Sequence, residues 1–250
     1  MQRYFMEDSQ LLDDEKLIIT NDDAHHMINV MRMDVGDTVI CQLSDRRTAI
    51  AAITEIVDKT VHLQVQEWVE EDNELPIEVT IAQGLPKGTK MELIVQKGTE
   101  LGAHHFRILE MDRSVAKWND KSGKKKLARY EKIIKEASEQ CHRNLIPTIS
   151  GAESLKQLLA EREQYDLVLF AYEAEAKQAS DNTFGKAIAK IKQDDKVLIL
   201  IGPEGGFSER EVETLIEHDC QPVRLGKRIL RTETAALYAL ANLSYHFEEC

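Results

Sequence analysis

The stretch Val197-Leu-Ile-Leu-Ile-Gly-Pro-Glu-Gly-Gly-Phe-Ser208 decides how this chain is read. Val197 to Ile201 is an apolar strand that runs straight into Gly202, Pro203, Glu204, Gly205 and Gly206, and Ser208 with Glu211 then forms the S-x-x-E capping box that opens a helix. Ligands of open α/β sheets bind outside the carboxyl ends of strands, where glycines let backbone approach a ligand closely. The spacing is wrong for G-x-G-x-x-G and lacks the Lys-Ser/Thr of a Walker loop, and Gly84-Leu-Pro-Lys-Gly-Thr-Lys90 misses the Walker spacing too. Nucleoside triphosphates and dinucleotides are therefore disfavoured.

A second motif follows: Leu225-Gly-Lys-Arg-Ile-Leu-Arg-Thr-Glu-Thr-Ala-Ala236, again a short strand, a glycine, a basic loop and a helix start. Thr232 can cap that helix and Glu233 suits its positive end, so plain helix initiation accounts for both. It does not account for Arg231, a cation set against the dipole, which suggests that something negative is held there.

Outward from these motifs, strands and helices alternate. Strands are predicted at Ile77–Gln83, Phe106–Glu110, Asp166–Tyr172, Val197–Ile201 and Pro222–Leu225. Helices are predicted near Lys90–Leu101, Lys125–Cys141, Leu155–Arg162 and Phe184–Lys192, after Ser208, and from about Thr234. That is an α/β domain with a largely parallel sheet. The first seventy residues read differently: strands at Lys16–Thr20, Thr38–Leu43, Arg47–Val57 and Val61–Val69, a short helix from Asn21 to about Arg32, and a hairpin at Asp58-Lys59, which a small barrel would close. The acidic run Glu70 to Glu74 before Pro76 marks a linker, giving domains of residues 1–71 and 75–250.

With 250 residues, 42% of them hydrophobic and 30% charged, the composition is that of a globular protein and excludes collagen-like, disordered and disulfide-scaffold classes. No apolar run has the length of a membrane helix and the first residues lack a signal-peptide pattern, so a cytoplasmic location without a membrane is expected. Cys41, Cys141, Cys220 and Cys250 make no CxxC pair, and His25-His26 and His104-His105 lack metal-ligand spacing, so no metal is expected. The net charge of -12 is unevenly spread: Lys117 to Lys135 holds eight basic residues against Asp120 and Glu131, and Arg224, Lys227, Arg228 and Arg231 cluster without an acid. Such asymmetry suits a local polyanion site on an acidic body, and equally a solvated lysine-rich face. Trp68 and Trp118 could stack on bases, although packing is the commoner use.

The two C-terminal motifs in this order resemble the RsmE family of SPOUT methyltransferases, which methylate N3 of uracil 1498 in 16S ribosomal RNA. Weaker similarity spans the chain: Arg3-Tyr4-Phe5, His26 to Arg32 with Gly36-Asp37, Lys87 to Leu93, Gln96 to Gly102, and Glu139 to Arg143 with Pro147. The resemblance implies a PUA-like, RNA-binding barrel before a trefoil-knotted α/β methyltransferase domain, acting as a homodimer with S-adenosylmethionine on 16S rRNA within the small ribosomal subunit. It places Ile201, Gly202, Glu204, Gly205, Gly206, Leu225, Gly226, Ile229, Leu230, Thr234 and Ala235 around the methyl donor. Arg231 would stabilise a developing uracilate oxygen, with Glu100 and Gln140 as positioning groups and no base identified. Arg3, Arg32, Lys87, Lys97, Arg113, Lys124, Lys125 and Arg143 are the expected phosphate contacts. Other expectations stay open: a knotted enzyme for another RNA site, a non-catalytic RNA-binding or assembly factor, and an α/β nucleotide-binding protein.

Overall fold

The computed structural model describes residues 1–7, 10–13, 15–172 and 183–250. They fall into two compact units: Met1–Glu74 with Ser138–Leu145, and Leu75–Ala137 with Ile146–Cys250. The segment Ser138–Leu145 thus joins the first unit, although it lies far beyond the linker read from sequence. No helix of the described residues is long and apolar enough to cross a membrane.

The first unit is one six-stranded sheet in the order β1-β4-β5-β6-β3-β2, a half-barrel with two edges. The strands are β1 (Arg3–Met6), β2 (Leu11–Asp13), β3 (Lys16–Ile19), β4 (Thr38–Leu43), β5 (Thr48–Val57) and β6 (Thr60–Val69). Alternate residues turn inward, as the two-residue period of a strand requires: Val39, Cys41 and Leu43 meet Ala49, Ala51 and Ile53, and then Val61 and Leu63. Val57 pairs with Thr60 across a two-residue turn in which Asp58 and Lys59 both have positive φ, 46° and 67°. Between β3 and β4 stands α1 (Asn21–His25), which continues as a π-turn over His26–Val30 and buries Ala24 and Met27.

The second unit is an all-parallel sheet in the order β12-β10-β11-β7-β8-β9. Its strands are β7 (Glu78–Gly84), β8 (His105–Glu110), β9 (Thr148–Ser154), β10 (Leu167–Ala171), β11 (Lys196–Ile201) and β12 (Gln221–Val223). Its helices are α2 (Lys90–Glu100), α3 (Asp120–Gln140, whose end passes into the first unit), α4 (Leu155–Leu159), α5 (Phe184–Ile188), α6 (Glu209–Glu217) and α7 (Thr232–Glu248). After the exposed Lys196, β11 is apolar to its end because both of its faces are covered. Val197, Ile199 and Ile201 enter a core with Met91, Ile94 and Leu240, while Leu198 and Leu200 enter another with Leu158, Val212 and Leu215.

Candidate active site

The carboxyl end of β11 opens into a cavity of ≈ 520 Å³, inside the ~300–1,000 Å³ range usual for small-ligand sites. Its wall is Ala171 and Tyr172 at the end of β10, Ile201 through Phe207, Val223, Leu225, Gly226 and Arg228 through Thr232, and Ala235 on α7, with Lys90 and Arg113. The glycines have distinct reasons. A Cβ on Gly202 would stand 3.1 Å from the backbone of Gly206 and 3.3 Å from Phe207, so the loop folds onto itself at the strand end. Gly206 has φ +67° with open space around it, so its need is conformational.

The two loops are joined by hydrogen bonds that run through Thr232. Its hydroxyl donates to the Gly202 carbonyl at 2.7 Å and accepts from Gln83 Nε2 at 2.8 Å. Gln83 is fully buried at the end of β7 and also donates to the Gly84 carbonyl at 2.9 Å. Thr232 is therefore not the cap expected for α7. Arg231 occupies the N-cap with no side-chain cap bond, and Thr232 is turned inward to hold the glycine loop. Beyond that loop the expected box is present: Ser208 Oγ accepts from the Glu211 amide and the Glu211 carboxylate accepts from the Ser208 amide. Glu211, itself buried, also takes the Asp112 amide at 2.8 Å, so the α6 start is fastened to the segment after β8.

Charge in the wall is partly neutralised. The Glu204 carboxylate accepts from Lys90 Nζ at 2.8 Å and from the Lys87 amide at 3.1 Å. Burial pushes this carboxyl up, but those bonds outweigh it and hold it below its ordinary value. Lys90 reaches Glu233 as well, at 3.5 Å. Arg113 donates to the Gly205 carbonyl at 3.2 Å. The Arg228 and Arg231 side chains have no hydrogen-bonding or ionic partner among the described residues, and they leave the wall cationic.

Of the residues predicted around a methyl donor, Ile201, Gly202, Glu204, Gly205, Gly206, Leu225, Gly226, Ile229, Leu230 and Ala235 come together in this wall, as does Arg231. Thr234 is exposed on α7 outside it. Glu100 is also outside it and is held by Lys97 at 2.7 Å, which occupies both side chains. Gln140 is exposed at the end of α3 and belongs to the first unit.

Among the expected phosphate contacts, Arg32, Lys87, Arg113, Lys124 and Lys125 are exposed. Arg3 and Arg143 are not: both are buried in the first unit, Arg3 against Glu71 and Arg143 against Glu74. Their guanidinium groups are committed to carboxylates, and the structure corrects that expectation by giving them an internal role. Both tryptophans carry a cation on the ring, Arg47 at 4.6 Å from Trp68 and Lys126 at 5.7 Å from Trp118. Sequence reasoning missed Gln83, Lys90, Tyr172, Pro203 and Phe207. For Gln83 the one signal was an amide at the two-residue period of Val79 and Ile81, on an otherwise apolar face of the strand.

The second unit carries a glycine loop and a basic loop around one cavity at the strand ends of its parallel sheet, and the first is a half-barrel; the family models give the class, an RNA methyltransferase with a PUA domain. The family model described as RNA methyltransferase domain matches residues 73–244, and that described as RNA methyltransferase PUA domain matches residues 19–66. The chain is 46% identical over 250 residues to the ribosomal RNA small subunit methyltransferase E of Bacillus subtilis, covering 99% of this chain and 98% of that protein. The Synechocystis protein of the same name is 31% identical over 90% of this chain and 72% of its own length. The crystal structure of the Neisseria gonorrhoeae enzyme of that name, bound to S-adenosyl methionine, superposes with a TM-score of 0.84 at 25% identity, covering 99% of this chain and 98% of that one. The chain belongs to the ribosomal RNA small subunit methyltransferase E (RsmE) family.

Proposed function

We propose that the protein transfers a methyl group from S-adenosylmethionine to N3 of a uridine in small-subunit ribosomal RNA, at position 1498 of the 16S molecule. The observation that carries this is the single cavity built by the two C-terminal loops, with Arg231 unpaired in its wall. S-Adenosylmethionine, when bound, supplies an electrophilic methyl group on a positively charged sulfur. Leu225, Ile229 and Leu230 offer apolar surface to a flat heterocycle, and the glycine loop offers backbone groups at close range.

Uracil N3 carries a proton near neutral pH and attacks poorly until it leaves, whereupon negative charge spreads onto the ring oxygens. Arg231 stands on the N-terminal end of α7, where its own charge and the unsatisfied amides of the helix both favour an anion. Its part is to hold that oxygen while the N3 proton is lost to solvent, so that N3 can take the methyl group as the methyl–sulfur bond breaks. Glu100 and Gln140 do not line the wall, and no step is assigned to them.

RNA would be held by Arg32 on the first unit and by Lys87, Arg113, Lys124 and Lys125 on the second, all exposed. The same reading includes the trefoil knot, a homodimer, the assembled small subunit as context and a cytoplasmic location. Mass spectrometry of nucleosides from cells lacking the protein tests it: one 3-methyluridine should vanish from small-subunit RNA and return with the wild-type gene. Unchanged 3-methyluridine would refute the assignment. Titration calorimetry with S-adenosylmethionine separates the enzyme from a non-catalytic RNA-binding protein on the same fold, which would show no binding.

A further inference from the structure

We infer that Gln83 is a positioning residue that sets the shape of the cavity through Thr232. The inference rests on the reading of that cavity as the S-adenosylmethionine site. The hydrogen-bond directions follow from the groups themselves. The Gly202 carbonyl can only accept, so the Thr232 hydroxyl proton goes to it, and the Thr232 oxygen must then accept from Gln83. The carbonyls of Gly84 and Ile201 also face Gln83 Nε2, at 2.9 and 3.5 Å, which fixes the amide with its nitrogen on this side. Its Oε1 is then left buried with no hydrogen-bond partner among the described residues.

A buried unpaired acceptor lowers stability, and an apolar side chain of similar shape would avoid that loss while giving up the bonds from Nε2 to Gly84 and Thr232. Gln83 sits where such a side chain would fit, in a strand that buries Val79, Ile81 and Ala82. The loss at Oε1 offsets much of what those bonds give, so the net gain to folding is small. What the amide contributes is geometry. Once the Gly202 carbonyl is turned toward Thr232, the plane of the Gly202–Pro203 peptide is set, and the loop to Gly206 starts from a fixed direction. Thr232 follows Arg231 directly, so the same contact sets where the unpaired arginine begins. Gln83 is absent from the cavity wall and acts only through these groups.

The test uses the full-length protein and three measurements: melting temperature, S-adenosylmethionine affinity by calorimetry, and amide hydrogen exchange of the ligand-free protein at Gly205 and Gly206. Gln83→Met should melt close to the wild-type temperature, because relief of the unpaired Oε1 offsets the lost bonds, exchange faster at both glycines, and bind S-adenosylmethionine on the order of tenfold more weakly, which is the worth of about one hydrogen bond. Thr232→Val should reproduce the weakening and Thr232→Ser should restore wild-type affinity. The Gln83→Met/Thr232→Val double variant should be no weaker than either single one, because one chain of bonds is being cut twice. Unchanged affinity and exchange in Gln83→Met would overturn the inference, as would a loss of binding that merely tracks a lower melting temperature. If wild-type protein binds no S-adenosylmethionine, the cofactor reading fails, while the exchange at Gly205 and Gly206 still decides whether Gln83 shapes the loop.

Discussion

Replacing Arg143 by Met should destabilise the first unit rather than weaken RNA binding alone. The Arg143 side chain is 3% exposed and its partner Glu74 is 5% exposed. Nε donates to the two carboxylate oxygens at 3.0 and 2.9 Å, and Nη2 donates at 2.5 Å. Around this pair the Arg143 carbonyl accepts from Arg3 at 2.9 Å, and Asn144 Nδ2 donates to Gln42 at 3.1 Å. Removing the guanidinium leaves a buried carboxylate without its counter-charge, which costs about 3–5 kcal/mol. The lower end applies, since the Asn144 amide still reaches Glu74 at 2.7 Å. For a unit of this size about 3 kcal/mol lowers the melting temperature by roughly 12–24 °C. Calorimetric melting should show that fall, and Glu74→Gln added to Arg143→Met should recover part of it because the stranded charge is gone. A phosphate contact predicts something else: normal melting, with the slope of log affinity for RNA against log salt shallower by about one. That second outcome would refute the burial argument.

Arg231→Ala should keep S-adenosylmethionine affinity while lowering single-turnover methylation by roughly 100-fold or more, the usual scale for losing a charge-stabilising donor; near-normal turnover would remove Arg231 from the mechanism. Glu204 is held below its ordinary carboxyl value of 4.5, so its tie to Lys90 stabilises the fold above that pH and is lost as pH falls through the lower folded value. Melting curves from about pH 6 down to about pH 3 should therefore show the gap between wild type and Glu204→Gln closing at the acid end, and a constant gap would count against the tie. Burial pushes the Cys41 thiol up to about 12 and the Cys220 thiol up to about 11, whereas Cys250 is exposed. Since the thiolate is the reactive form, iodoacetamide at about pH 8 should mark Cys250 in native protein and reach Cys41 and Cys220 only in urea; rapid native labelling of Cys41 would contradict its placement.

The strands that sequence patterning missed all stand at sheet edges, although one edge strand, β12, was read as Pro222–Leu225. β4, β5, β6, β7, β10 and β11 are interior strands, flanked on both sides, and their Val, Ile and Leu content announces them. The three missed strands are β1, β2 and β9. An edge strand has fewer neighbours to pack against and is free to carry polar residues, as Thr148-Ile-Ser-Gly-Ala-Glu-Ser154 does in β9. Likewise the chain division was read from an acidic linker, a local signal. No local signal could say that Ser138–Leu145 joins the first unit, because what puts it there is the pairing of Arg143 and Asn144 with Glu74 and Gln42 roughly seventy to a hundred positions earlier.

The site divides in a comparable way. The glycine loop and the basic loop were legible because their backbone geometry demands particular residues, and those demands survive in a single sequence as Gly202, Gly205, Gly206 and Gly226. What joins the loops was not legible. Thr232 beside Glu233 has the composition of a helix start, and local propensity alone reads it as a cap. In the fold, Arg231 occupies the N-cap without a capping side chain, leaving the Thr232 hydroxyl for the Gly202 carbonyl. The helix therefore begins without its best cap so that two loops can be tied. A buried amide with one unpaired oxygen completes the tie from the neighbouring strand. Both departures from local optimality fall at one point in the molecule, between the loops that wall the cavity, where stability alone gives little reason to keep either.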